Sequence, residues 1–306
     1  MKKKTFELAL IAFMVTFTAI GCTKDDKMTP TGEQTIAGYA SSDKNFSILV
    51  EALTKADLVN VLNGTGNFTV FAPTNDAFKA LFTQLGVTGI SDLSKETLTP
   101  ILLYHVLGTI KQSNMFTTGY LSTLSPSHGN FLSLEVDVAG GVKLNKETNV
   151  TKADIDLKNG VIHVIDKVLL PPTVVGVAME NDSFSILVQA IVKAGLTETL
   201  NGAGPFTVFA PTNAAFTALF AQLGVTGIAD VPAAQLIPIL KYHVVSGNVL
   251  SSQLTNGSVQ TLNGSINVTL SPAPAINGSA KIIATDVQGS NGVIHVIDKV
   301  LLPSSK

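Results

Sequence analysis

At 306 residues the chain has room for about two domains of ordinary size, and its 45% apolar content lets each bury a core without disulfides. A single cysteine excludes a disulfide framework and a cysteine-rich zinc site. Twenty lysines, no arginine and a formal charge of −2 provide neither the basic stripe nor the guanidinium forks of nucleic-acid recognition, so nucleic acid is excluded as a partner.

The first 21 residues read as a secretory leader. Lys2, Lys3 and Lys4 form a positive start, followed by 13 mostly apolar residues, Leu8–Ile20. That run is shorter than the ~20 residues a membrane-spanning helix needs. Ala19-Ile20-Gly21-Cys22 resembles a bacterial lipobox, with Ala19 where leucine is usual. The resemblance implies cleavage before Cys22, acylation of Cys22 and a membrane held through that lipid anchor. Removing residues 1–21 takes away three Lys and one Glu and leaves 17 basic against 21 acidic side chains, a net charge of −4. Lys24-Asp25-Asp26-Lys27 resembles the Lys-Asp signal of some lipoproteins displayed on the outer face of the outer membrane. It implies an outer-membrane address facing the cell exterior, with the periplasmic face as the alternative. Residues 22–35 read as a flexible tether. The polar stretch from Thr23 to about Ala40, if coiled, reaches roughly 20–25 Å.

Beyond the tether the chain repeats itself. Phe68–Asn75 recurs unchanged as Phe206–Asn213 and Gln84–Ile90 recurs as Gln222–Ile228, each 138 residues on. Asn159–Pro171 returns as Asn291–Pro303, offset by 132. The period is that of a whole domain and far above a solenoid unit. The boundaries drawn from it are 36–171 and 172–304, with Pro171-Pro172 a short, stiff linker.

Within the first copy, Phe46, Leu49, Val50 and Leu53 fit one helical face, and Leu58, Val61 and Leu62 carry it to the turn at Asn63-Gly64. Phe68–Ala72 predicts a short strand closed by Pro73. Thr74 or Asn75 is a natural N-cap for a helix over Asp76–Leu85, and Gly86 ends it. A further helix covers about Lys95–His105, which Pro100 either begins late or kinks. The pattern then alternates: Leu132, Leu134, Val136 and Val138 predict a half-buried strand. Lys158-Asn159-Gly160 predicts a hairpin turn, and Val161–Leu170 a central strand with both faces apolar. Helices first and strands second make the class α+β with a mainly β core, in two copies.

At these residues the chain resembles a fasciclin-domain protein. One family motif corresponds to Thr69–Phe78 and Thr207–Phe216, another to Asn159–Pro171 and Asn291–Pro303, and the family's Tyr-His pair to Tyr104-His105 and Tyr242-His243. The resemblance covers about residues 36–304. It implies a β-sandwich or wedge with packed helices, twice, in an extracellular or membrane-anchored adhesion protein. It also implies an adhesion motif at Leu103, Tyr104, His105 and Val106, and at Leu240, Tyr242, His243 and Val244. The acidic Glu-Pro-Asp-type adhesion peptide of some relatives is absent.

The residues permit quieter readings of the same positions. A tyrosine at a helix end buries its ring while its hydroxyl finds a partner, and the neighbouring histidine can bond a carbonyl. His163 and His295, among Val and Ile on a strand, read as satisfied core histidines. His128 lies in a Ser/Pro/Gly loop and reads as solvated. Asp154, Asp156 and Asn159 only faintly resemble a calcium loop, and the ligand set is incomplete. There is no Gly-x-Ser-x-Gly elbow and no metal-ligand spacing, so the expectation is no enzyme, no cofactor and no metal. The expected function is adhesion to an extracellular protein or polysaccharide, with binding of a small glycan fragment or apolar molecule as the alternative.

Overall fold

The computed structural model describes residues 34–303. Cys22, the leader, Lys24–Lys27 and most of the tether lie outside them. The first unit runs α1 (Ile36–Ser42), α2 (Ser47–Lys55), α3 (Val59–Asn63), β1 (Phe68–Pro73), α4 (Asn75–Leu85) and α5 (Lys95–Tyr104). Its strands continue with β2 (Val106–Leu107), β3 (Gly119–Ser127), β4 (Asn130–Asp137), β5 (Lys143–Leu144), β6 (Thr148–Leu157) and β7 (Gly160–Ile165). The second unit repeats the order: α6 (Val174–Glu180), α7 (Ser185–Lys193), α8 (Thr197–Asn201), β8 (Phe206–Pro211), α9 (Asn213–Leu223) and α10 (Ala233–Tyr242). Then follow β9 (Val244–Ser246), β10 (Gly257–Thr261), β11 (Gly264–Thr269), β12 (Ala275–Ile276), β13 (Ala280–Gly289) and β14 (Gly292–Ile297).

Each unit carries a seven-stranded sheet, ordered β2-β1-β7-β6-β5-β4-β3 in the first and β10-β11-β12-β13-β14-β8-β9 in the second. The pairs are antiparallel except β1 with β7, and β14 with β8. Strand alternation divides the core in two. Val70, Ala72, Ile162 and Val164 face the helices and pack with Phe46, Leu49, Leu53 and Phe78. Phe71 and Ile165 point the other way and meet Leu132, Leu134, Val136 and Leu144 from β4 and β5. The sheet thus folds over onto its own second face, aided by register shifts in β6, and the α+β wedge expected from the sequence is present twice.

The local signals act as their chemistry predicts. Thr74 caps α4 by accepting from the Ala77 N–H at 3.3 Å, and Gly86 ends it at φ +68°. Three expectations are corrected. The helical pattern from Phe46 to Leu62 breaks into α2 and α3 because Asp57 takes a left-handed φ of +57°. The strand expected over Val161–Leu170 stops at Ile165, since the Asp166 carboxylate turns back to accept from Asn149 at 2.7 and 2.8 Å. Pro100 does not begin α5 late but lies inside it. The bond it cannot donate would go to Glu96, in the solvent-exposed first turn where water substitutes. Helix α1 was not expected at all.

The two units touch well beyond the linker, with β4 packed against β13. Ser127 Oγ donates to the Gly289 carbonyl at 3.0 Å, and the Gln288 N–H donates to Ser133 Oγ at 2.9 Å. The Asn181 amide donates to the Tyr120 hydroxyl at 2.8 Å, and Lys146 pairs with Asp182. The linker itself is pinned, because Pro172 O accepts from the Ser290 N–H at 2.7 Å.

Candidate functional site

Tyr104 closes α5 with its ring fully withdrawn from solvent. Its hydroxyl donates to the Ser133 carbonyl at 3.0 Å and accepts from the Asn145 amide at 3.0 Å. His105 is 3% exposed. Its Nδ1 lies 2.8 Å from the Ile101 carbonyl, while Nε2 accepts from the Leu169 N–H at 2.9 Å. An acceptor at Nε2 and a carbonyl at Nδ1 fix the neutral, Nδ1-protonated tautomer. Burial lowers its pKa to about 4. The second copy repeats the arrangement: Tyr242 reaches Ser265 O at 2.9 Å, and His243 reaches Ile239 O at 2.8 Å and the Leu301 N–H at 2.9 Å.

The Tyr-His pair therefore joins the end of one helix to the strand pair behind it and to the chain after β7. Val106 and Val244 are buried at the starts of β2 and β9 and pair with Val70 and Val208. Leu103 is half-buried, and its counterpart in the second copy is Lys241; Leu240 is buried and corresponds to Leu102. Every member of the set except the half-buried Leu103 is buried within its domain. A partner could touch Tyr104, His105, Tyr242 or His243 only by opening the domain, whereas the structural reading accounts for every polar atom.

His163 and His295 are equally enclosed. His163 Nε2 lies 2.9 Å from the Lys111 carbonyl, Nδ1 accepts from the Asp154 N–H at 3.2 Å, and the ring packs on Phe71 and Phe116. Burial lowers its pKa. Asp154, held at φ +59°, accepts from Ser113, and Asp156 accepts from Gln112. Both carboxylates of the faint calcium-like loop are thus engaged with the segment after β2. Among the described residues no group of three His, Cys, Asp or Glu side chains converges on a common point.

Two other features had no sequence signal. A cleft of about 400 Å³ opens beside Gln84, Asn145, Lys167 and Leu170, and its counterpart of about 360 Å³ lies beside Gln222, Asn277, Lys299 and Leu302. The first is walled on one side by Gly176, Met179 and Glu180 of α6, while the second has no such wall. At that wall, burial raises the Glu180 carboxyl to about 8, with Glu135 and Glu147 adding repulsion. Burial likewise raises Glu135 and takes the Tyr120 hydroxyl to about 12.

The Fasciclin domain model matches the chain twice, over residues 44–171 and 182–303. The chain belongs to the fasciclin domain family. Both matches begin after the first helix of each unit, so α1 and α6 lie outside the matched spans. The chain is 44% identical to Protein sll1483 of Synechocystis over 132 residues, which is 43% of this chain and 73% of that protein. It is 31% identical over 300 residues to transforming growth factor-beta-induced protein ig-h3 of Sus scrofa, covering 91% of this chain but 39% of the relative. Human periostin is 30% identical over 253 residues, 80% of this chain and 29% of periostin. A solved FAS1 domain pair from the insect cell adhesion molecule Fasciclin I is similar over 87% of this chain and 96% of that one, at 20% identity and a TM-score of 0.47. Fasciclin domains are associated with cell adhesion and extracellular binding.

Proposed function

We propose that this chain is a lipid-anchored surface protein that adheres to an extracellular protein or polysaccharide and performs no chemistry. The observation that carries this reading is the pairing of two fasciclin domains with core histidines whose ring nitrogens are already occupied. His105, His163, His243 and His295 each have both ring nitrogens bonded to backbone atoms, so none is poised to take a proton from a substrate. The Cys22 lipobox and the Lys24–Lys27 signal support display on the outer membrane. Two domains on one anchor also favour avidity toward a repeating target.

Because the Tyr-His side chains are enclosed, contact with a partner falls to the outer surfaces of the two wedges. Probing protein and glycan arrays with the full chain tests this. Retention on a defined set of extracellular proteins or polysaccharides is expected, and blank arrays combined with turnover of an ester, glycoside or peptide substrate would refute it. The recurrence of one cleft beside Gln84 and Gln222 favours a second reading, the binding of a small glycan fragment or apolar molecule. Native mass spectrometry of the purified chain distinguishes it by a co-purifying small ligand.

A further inference from the structure

The junction between the domains carries two half-buried carboxyls, and Lys146, which favours the ionised form of Glu135, is shared with Asp182. Glu180 is the last residue of α6, at the negative end of the helix, where a carboxylate is disfavoured. Glu135, on β4, pairs across the sheet with Tyr120, whose hydroxyl accepts from Asn181, the residue after Glu180, and the Glu135 Oε2 atom is buried without a hydrogen-bond partner. Two lysines stand nearby, but each already serves another acid. Lys146 pairs with Asp182, and Lys167 pairs with Glu147 at 3.0 Å. The remaining groups facing the pair are the Tyr104 and Tyr120 hydroxyls, from α5 and β3, and Asp137 at the end of β4. None of these brings positive charge to the pair.

Comparison of the duplicated domains gives a second, independent argument. The counterpart of Glu180 in the first domain is Ser42, and the counterpart of Glu135 in the second is Asn267. Tyr120 and Lys146 correspond to Ser258 and Gly278. Both acids, with Tyr120 and Lys146, therefore occur only on the two faces that meet, whereas Tyr104 and Lys167 recur as Tyr242 and Lys299. The faces that point away from the junction lack them.

We propose that Glu135 and Glu180 form a proton-dependent clamp between the domains, closed while the pair retains a proton and loosened when both carboxyls ionise. Two carboxylates in a half-buried site cannot both ionise without strong repulsion, so the proton stabilises the closed arrangement. Burial raises both carboxyls, and Glu180 at about 8 places the release on the alkaline side of neutrality. Release withdraws the α6 wall from the cleft beside Gln84, leaving it open like its counterpart beside Gln222.

The test is energy transfer between dyes on the full chain, attached at Lys79→Cys and Thr217→Cys in a Cys22→Ser background. Both positions are exposed, on the equivalent helices α4 and α9. Transfer is expected to be constant from pH 6 to 7 and to fall with a midpoint near 8. Glu180→Gln is expected to abolish the fall by keeping that side chain neutral. Glu135→Gln is expected to abolish it from the other domain by removing the opposing charge. Transfer that stays constant through pH 10 in the unsubstituted pair of domains overturns the clamp. So does a fall of the same size and midpoint in either glutamine variant.

Discussion

His105 and His243 carry the clearest consequence at the scale of single residues. Each ring is buried and bonded on both nitrogens as the neutral form, and each pKa is lowered from 6.5 to about 4 by burial. The folded state therefore resists taking up a proton that the unfolded chain accepts near 6.5. The stability they contribute is fully present above pH 6.5 and is lost as the pH falls toward 4. A shift of that size corresponds to on the order of 3 kcal/mol per histidine. Urea unfolding followed across pH 7 to 4 should show stability falling steeply over that window. His105→Gln should flatten the fall in the first domain while lowering stability at neutral pH. A pH-independent stability from 7 to 4 would contradict the assignment. These residues were legible as a structural pair from type and position alone, since a tyrosine and a histidine at a helix end both need partners. Which partners they take was not legible. Ser133, Asn145 and Leu169 lie 29 to 64 residues away and reach the pair only through the folded sheet.

Among the elements, the Asn-Gly step at 159–160 had a local reading and turned out to have a wider one. Its glycine does turn β6 into β7, at φ +154°, and a Cβ there would lie 2.1 Å from the Phe68 carbonyl oxygen. Its asparagine does something turn chemistry does not predict. Asn159 Oδ1 accepts from the Ile36 N–H at 2.9 Å, and Nδ2 donates to Leu62 O and Gly64 O at 2.8 and 2.9 Å. One buried side chain thus fastens α1 and the end of α3 to the hairpin, and Asn291 does the same for α6 and α8. Replacing Asn159 by Ala strands the Ile36 N–H and the Leu62 carbonyl, while Gly64 O keeps the Gly66 N–H, a cost of about 2–4 kcal/mol. Calorimetry of Asn159→Ala should show the first domain melting well before the second, whereas coincident melting at the original temperature would refute the joint.

The same joint explains why α1 escaped the sequence. Seven residues, five of them Ala, Gly or Ser, hold no helix alone. Helix α1 stands because Asn159, 123 residues away, takes its first N–H, and because Thr35 caps it. By contrast, α4 was legible to within one residue, because its cap, its apolar stripe and its terminal glycine are all local. The division at Asp57 and the early end of β7 at Asp166 belong with α1. Each depends on a polar residue whose role is set by what the fold brings near it.

At the scale of the whole molecule, the duplication was visible in the sequence and the way its halves meet was not. Glu135 and Glu180 are single acids 45 residues apart, in stretches with no repeat and no motif. Their shared place at the domain junction appears only in the folded chain. Two fasciclin wedges that meet through β4 and β13 fit the proposal of a module held at a surface through Cys22. The direct test is attachment of the cells that make this chain to a panel of protein- and polysaccharide-coated surfaces. Wild-type cells are compared with cells lacking the gene and with cells carrying Cys22→Ser. The account predicts that attachment to at least one coating is lost on deletion and is not restored by Cys22→Ser, although that variant is still made and folded. Equal attachment of all three on every coating would contradict it.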